Sequence, residues 1–325
     1  MGKRVLVTGC SGYIGELLVR HLLAHPLVQK TVAVDVKPSP LPQGPKFKHY
    51  PADIRDEFLL RSLLEEERID TIFHLAFLSE ESRTALARAV NVDGSLTVLD
   101  AAHKSSTVSK LIVTSSSLAY GARADNPRPL REENPLRATN FPYAVHKRLV
   151  EEEIGKILPQ LRRNLQVSIL RLCTVVGPHE RREGTIRFFC RSPLGVTALL
   201  RPGGLQFLAE DDLLKVLTRA METPEFRGTY NVAPDDFTTV AALCRSLGKT
   251  RLALPYPLVW ALFYLRKRMD PRSPINEDLA RFIAHPIILS NEKIKKALGI
   301  TFQKTSEQAF LECARALSNG AEAAP

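Results

Sequence analysis

Arg4-Val5-Leu6-Val7-Thr8-Gly9-Cys10-Ser11-Gly12-Tyr13-Ile14-Gly15 is the stretch that decides the fold. A short apolar run of strand character turns into three glycines spaced G-x-x-G-x-x-G, and a helix-like segment, Tyr13 to His25, follows. Such a turn brings backbone amides close to a diphosphate without interference from Cβ atoms, and the helix N-terminus adds partial positive charge. Three glycines after a strand also serve simply to close a tight βα turn, so the context decides. A second strand, Thr31 to Val34, ends in Asp35, twenty residues past Gly15. An acidic side chain there hydrogen-bonds an adenosine ribose and repels a 2′-phosphate, which points to NAD rather than NADP. The competing reading of Asp35 is a solvated turn residue, and Lys37 close by is the one feature that suits a phosphate.

From that turn to Pro178 the chain alternates strand and helix. The strands are expected at Arg4–Thr8, Thr31–Val34, Phe47–Tyr50, Thr71–Leu75, Leu111–Thr114 and Val167–Leu172, with helices at Tyr13–His25, Arg55–Glu66, Arg83–Lys104 and Tyr143–Leu158. Apolar Val/Ile/Leu runs separated by amphipathic helices imply right-handed crossovers and a parallel sheet covered on both faces, a doubly wound Rossmann α/β fold. Pro38-Ser39-Pro40-Leu41-Pro42 is expected to be an irregular loop. After Pro178 helical patterns dominate: Asp211–Glu222, Thr239–Leu247, Leu258–Arg268, Asn276–Ala284, Asn291–Leu298 and Ser306–Leu317, with short strands near Gln206–Leu208 and Thr229–Val232. The expected division is an NAD-binding, catalytic domain over 1–178, a smaller, mostly helical substrate lobe over 179–318, and a tail of disordered composition over 319–325.

Composition narrows the classes. A chain of 325 residues with 44% hydrophobic content can bury a full core. Its five cysteines are scattered, odd in number and form no C-x-x-C pair, which fits a reducing cytoplasm and argues against a disulfide framework or a metal site. The N-terminus runs directly into the first strand without a targeting leader, and the most apolar stretch, Leu252 to Leu265, is shorter than the about 20 residues a bilayer span needs. A soluble, cytoplasmic protein without integral membrane contact is expected. The net charge of +10 is spread along the chain without an aromatic-interleaved basic module, so nucleic acid is not the expected partner. One denser group, Arg181, Arg182, Arg187, Arg191 and Arg201, reads equally as a solvated basic face or as a site for an anionic substrate group. Arg266-Lys267-Arg268 closes an apolar helix, where a helix dipole favours cations; such a helix also has the makings of a membrane-surface element.

Tyr143-Ala144-Val145-His146-Lys147 places a phenol and an ammonium four apart, on one helical face. A phenol with its usual pKa of about 10 is a poor base at neutral pH, and a neighbouring ammonium favours the phenolate. Ahead of that helix, Thr114-Ser115-Ser116-Ser117-Leu118-Ala119-Tyr120-Gly121 puts hydroxyls at the end of the fifth strand, where they face a ligand crevice or satisfy turn amides.

With these motifs in order, the chain resembles the extended short-chain dehydrogenases/reductases, the NAD-dependent epimerase/dehydratase family. The resemblance spans the first 178 residues: Thr8-Gly9-x-x-Gly12-x-x-Gly15, Asp35, Asp53-Ile54, His74-Leu75-Ala76, Asn91-Val92-x-Gly94, Ser115-Ser116-x-x-x-Tyr120-Gly121, Tyr143-x-x-x-Lys147, and Arg171 to Val176-Gly177-Pro178. It continues more weakly in Gln206-Phe207-Leu208-x-x-x-Asp212-Leu213 and Gly228-Thr229-Tyr230-Asn231-Val232. The resemblance implies that Tyr143 is the general acid/base, that Lys147 lowers its pKa and hydrogen-bonds the nicotinamide ribose, and that Ser116, four before Tyr120, orients the substrate oxygen. It implies NAD contacts from Gly9, Ser11, Gly12, Tyr13, Ile14, Gly15, Asp35, Asp53, Ile54, Leu75, Ala76, Asn91, Thr114, Tyr143, Lys147 and Pro178. Asp53-Ile54 would meet the adenine. Family members commonly pair through the helices that here are Arg83–Lys104 and Tyr143–Leu158, so a homodimer is expected, with Ala85, Leu86, Ala89, Leu149, Ile154 and Ile157 as apolar candidates.

Two substrate classes follow for the expected small-molecule partner. Sugar-nucleotide members usually carry an Arg just ahead of the segment matching Gln206–Leu213, where it grips a diphosphate; the residue here is Leu205. That departure favours net oxidation or reduction of a secondary alcohol or ketone over a nucleotide-sugar epimerase or dehydratase with tightly held NAD. A non-catalytic NAD-binding protein on the same fold is the third class.

Overall fold

A computed structural model of the protein describes residues 2–78, 85–180, 184–201 and 203–322, the side chains of 320–322 excepted. The first part runs β1 (Lys3–Thr8), α1 (Tyr13–Ala24), β2 (Val28–Asp35), β3 (Phe47–Pro51), α2 (Glu57–Glu66), β4 (Thr71–His74), α3 (Ala85–Arg88), a π-helical turn (Ala89–Asp93), α4 (Gly94–Lys104), β5 (Lys110–Ser116), α5 (Pro142–Ile157) and β6 (Gln166–Leu172). It continues through β7 (Thr174–Val176), α6 (Thr185–Arg191), β8 (Leu194–Ala198), β9 (Phe207–Ala209), α7 (Glu210–Glu222), β10 (Gly228–Val232), α8 (Val240–Ser246), β11 (Thr250–Leu254), α9 (Tyr256–Met269), α10 (Glu277–Ala284), α11 (Glu292–Leu298) and α12 (Ser306–Glu322).

Seven strands form one sheet in the order β10-β6-β5-β4-β1-β2-β3, with β3, β2, β1, β4 and β5 pairing parallel. Chain order reverses between β1 and β4, the place where a doubly wound sheet opens a crevice at its strand C-termini. Along β1, Val5, Leu6 and Val7 are all fully buried. Successive strand residues point to opposite faces, so both faces of the sheet are covered, as the unbroken apolar runs require. One face packs Leu6, Val32, Ile72 and Leu111 against Leu60 and Leu64 of α2, Leu99 of α4 and Val150 and Ile154 of α5. The expected Rossmann architecture is observed.

The chain divides into two compact units that interleave: Met1–Ala119, Phe141–Arg171 and Leu214–Tyr230 in the first, and Tyr120–Asn140, Leu172–Leu213 and Asn231–Pro325 in the second. The strand near Thr229–Val232, expected in the lobe, instead edges the large sheet beside β6 as β10. Most of α7 belongs with it. Lys110, buried at the start of β5, donates to the carbonyls of Ala220, Met221 and Thr223 at 2.8, 3.0 and 2.5 Å. A cation at a helix C-terminus neutralises the exposed carbonyl ends, even though burial pushes the Lys110 pKa down to about 8.

Two other expectations change. The helix expected over Arg83–Lys104 contains a π turn, Ala89–Asp93, between its α-helical parts, and Arg83 lies outside the described residues. Helix α12 runs to Glu322, past Asn319 where tail composition begins. In the second unit β7 pairs parallel with β9 and β8 with β11. Phe310 of α12 packs on Phe207 with ring centroids 4.8 Å apart.

Candidate active site

The glycine turn is built by packing on one side and left open on the other. Gly9 has φ +74°, and a Cβ there would lie 2.5 Å from the Ala76 amide nitrogen. A Cβ on Gly15 would lie 2.0 Å from the Gly9 carbonyl oxygen. At Gly12, the N-cap of α1, a Cβ would meet only the Gly9 oxygen, at 3.3 Å, and no side chain caps the helix. A capless N-terminus with an unobstructed glycine is the cradle a diphosphate needs. Asp35 stands beside it, its Oδ2 accepting from the Ser11 amide at 3.0 Å and its Oδ1 from the Lys37 amide at 3.0 Å. The carboxylate is thereby fixed against the turn. Its charge and the burial of the thiol raise the Cys10 pKa to about 11, burial being the larger cause.

Thr8 and His74 close their strands side by side, and a directed hydrogen-bond chain starts there. Burial, and then the charge of Lys147, push the His74 pKa down to about 3, so its ring is neutral at pH 7. The Ser95 hydroxyl donates to the Asn91 carbonyl at 2.6 Å and so accepts from His74 Nε2 at 2.8 Å. His74 Nδ1 then accepts from the Thr8 hydroxyl at 2.8 Å, and Thr8 Oγ1 accepts from the Ala76 amide at 3.3 Å. The tautomer follows from a neutral ring having one donor and one acceptor. Asn91 lies in the π turn, a helical irregularity common at functional sites. It accepts from the Leu78 amide at 2.7 Å, donates to the Leu78 carbonyl at 3.0 Å, and reaches His146 Nδ1 at 3.2 Å.

Helix α5 starts with Pro142 at its first turn, a position where the missing N–H costs nothing. Lys147, one turn after Tyr143, is buried and donates to the Thr114 carbonyl at 2.7 Å. Its Nζ stands 3.6 Å from the centre of the Phe77 ring and 5.7 Å from that of Tyr143. Phe77 meets Tyr143 edge-on, with centroids 5.2 Å apart. Burial lowers the Lys147 pKa to about 7 against the opposite pull of Glu151. Glu151 pairs with Arg171 at 2.8 Å and accepts from the Ser115 hydroxyl, all three being buried. Ser116 follows at the end of β5, its Oγ accepting from the Leu118 amide at 3.2 Å. This arrangement holds a cation beside a phenol at the mouth of the sheet, a group set suited to moving one proton at a substrate oxygen.

Residues 5–233 match the NAD dependent epimerase/dehydratase family. The chain belongs to the NAD-dependent epimerase/dehydratase family. It is 28% identical over 314 residues to an uncharacterised protein of Mycobacterium tuberculosis, covering 95% of this chain and 82% of that one. It is 30% identical over 192 residues to a UDP-glucose 4-epimerase of Neisseria meningitidis, covering 55% of each chain. Among solved structures it resembles a dTDP-glucose 4,6-dehydratase of Bacillus anthracis in complex with NAD, with TM-score 0.77 and 18% identity over 99% of this chain and 98% of that one. A UDP-glucose 4-epimerase of Thermotoga maritima with UDP-glucose gives TM-score 0.76 and 21% identity over 98% and 99% of the two chains.

Ile54 is buried in the core, where a Cβ on Gly94 would lie 2.7 Å from its Cδ1. Asp53 is held by Arg55 at 2.7 Å, a hydrogen bond that keeps its carboxyl below the usual range. Leu75 and Ala76 border the glycine turn, and Thr114 receives Lys147. Pro178 lies in the second unit.

The second unit's landmarks do structural work. Gln206 exchanges hydrogen bonds with the Leu289 backbone at 2.7 and 3.1 Å, and Asp212 accepts from the Gln303 amide at 2.9 Å. Leu205 pairs its backbone with Thr238 at 2.8 Å and packs on the Phe207–Phe310 cluster. Of the basic group, Arg181 and Arg182 lie outside the described residues, and Arg201 stacks on Tyr256, 5.1 Å from its ring centre. Sequence reasoning missed Phe77, Ser95, Glu151 and the partnership of His74. Glu151 was findable, since it lies one further turn along the Tyr143–Lys147 face.

Proposed function

We propose that this chain moves hydride between NAD and the carbinol carbon of a secondary alcohol or ketone. The observation that carries the reading is Lys147, buried beside Tyr143, with its ammonium on the Thr114 carbonyl and on the face of Phe77. NAD, when bound, supplies the hydride acceptor or donor. The open glycine turn and the α1 N-terminus would hold its diphosphate, and Asp35 its adenosine ribose, disfavouring a 2′-phosphate. Tyr143 takes the proton of the substrate hydroxyl, or returns it to a carbonyl oxygen. Lys147, in its protonated form, places positive charge beside the phenol and reaches the nicotinamide ribose, and Ser116 orients the substrate oxygen. Asn91 would position the nicotinamide side.

The family relatives acting on UDP-glucose and dTDP-glucose support a second reading, in which the oxidation is internal to an epimerase or dehydratase cycle. Leu205 argues against it: a leucine on an apolar cluster cannot pair with a diphosphate at the position where sugar-nucleotide members carry an Arg, and burying an unpaired anion is costly; Arg187 and Arg201 are the described residues that would have to substitute. We assign action to the cytoplasm on five free cysteines. We further assign a homodimer through the helices around Leu86, which is 57% exposed. Ile154, offered above for that interface, instead packs inside the sheet's core. Thermal-shift titration with UDP, dTDP and GDP in the presence of NAD separates the readings. No stabilisation, together with NADH formation on a panel of secondary alcohols, is the expected result. Saturable stabilisation at micromolar nucleotide would replace it with the epimerase reading.

A further inference from the structure

Helix α9 carries apolar side chains on both of its faces. Val259 (0% exposed) and Phe263 (5%) point inward, packed with Ile275 and Ala280 and against Val196 and Leu254. On the outer face Leu258, Leu262, Leu265 and Met269 are 55%, 44%, 56% and 82% exposed. At 3.6 residues per turn these four fall within about 60° of arc, centred about 110° round the helix from Val259 and Phe263, with Arg266 and Arg268 about 80° to either side. A helix that needed only to pack on its own unit would carry polar residues there. Away from the stripe, Trp260 packs against the core and stacks on Tyr264 with centroids 5.2 Å apart, and the Arg268 guanidinium lies 5.4 Å from the Tyr264 ring centre.

From these observations we propose that the outer face of α9 docks on the surface of an anionic phospholipid bilayer, lying in the interface with its axis parallel to the membrane. Length excludes spanning: the helix has 14 residues, and no helix among the described residues is long and apolar enough to cross a membrane. Charge selects the lipid. Between Tyr256 and Ile275 the chain has Arg266, Lys267, Arg268 and Arg272 against the single acid Asp270, which pairs with Arg266 at 3.4 Å. An apolar stripe flanked by basic residues is the pattern that seats a helix among acidic headgroups. A second copy of this chain is the poorer occupant. A parallel two-fold pairing through this face would bring each stripe's flanking arginines towards those of the other copy.

The test is co-sedimentation of the full chain with vesicles of phosphatidylcholine alone and of phosphatidylcholine mixed with phosphatidylglycerol. Binding to the mixed vesicles, weakened by salt, is expected. Arg266→Gln with Arg268→Gln should lower it roughly tenfold or more, and Arg266→Lys with Arg268→Lys should retain it. Leu262→Gln with Leu265→Gln should lower it comparably without changing the melting temperature, because neither side chain is part of the core. Failure to bind the mixed vesicles, equal binding to phosphatidylcholine alone, or a dimer that the paired leucine substitutions dissolve would each overturn the proposal.

Discussion

Helix α5 buries Lys147 and Glu151 at 5% and 7% exposure, whereas helix α9 leaves four large apolar side chains between 44% and 82% exposed. Each breaks the usual partition of polar outside and apolar inside, in opposite directions. Burying charge is costly unless every group finds a partner, and on α5 they do: Lys147 on Thr114 and Phe77, Glu151 on Arg171 and Ser115. Exposing apolar surface costs the folded chain little in stability, but a contiguous stripe of it marks a contact surface. The two departures therefore underlie the two proposals, chemistry on α5 and docking on α9.

Breaking the α5 network should give the largest change in stability. Glu151→Ala strands the Arg171 guanidinium in the interior and should cost about 3–5 kcal/mol in urea unfolding; a cost below about 1 kcal/mol would mean that the pair is solvated. The two faces of α9 should part company in the same assay. Phe263→Ala should cost about 3–5 kcal/mol, whereas Leu262→Gln should stay within about 0.5 kcal/mol of the parent. Equal effects would mean that the outer face is not free.

Acid gives a further handle on the buried polar chain. His74 has a folded pKa of about 3 against an ordinary 6.5. Between these values the unfolded chain binds the extra proton, so stability should be lost as pH falls from about 6.5 towards 3. His74→Gln should flatten that slope while leaving stability above pH 7 little changed; an unaltered slope would show that other groups set it. The smallest effect concerns cofactor choice. NAD should bind roughly tenfold tighter than NADP, and Asp35→Ala should narrow the gap, as read by isothermal titration. Equal affinities in the parent would remove Asp35 from the ribose site.

Much of the sheet and part of the candidate site were legible in the sequence, for a local reason. Strand and helix positions follow from apolar runs and periodicity, and the glycine turn, Asp35 and the Tyr143–Lys147 spacing are all short-range patterns. What escaped is what distance along the chain conceals. Strand β10 joins the sheet beside β6 only after an excursion of the chain into the second unit. Strands β7, β8 and β11 have three to five residues each, too few to set a period. His74 finds Thr8 at 66 and Ser95 at 21 residues' separation. The π turn left one faint trace, an Asn-Val-Asp-Gly run of poor helix formers inside an otherwise helical pattern.

The central claim is that Tyr143 carries the substrate proton beside Lys147, and Tyr143→Phe tests it most directly. The substitution keeps the ring and its edge contact with Phe77 while removing the transferable hydrogen. Turnover on a validated substrate should fall by roughly 10²-fold or more, with NAD affinity and melting temperature unchanged. Full activity in Tyr143→Phe would contradict the account.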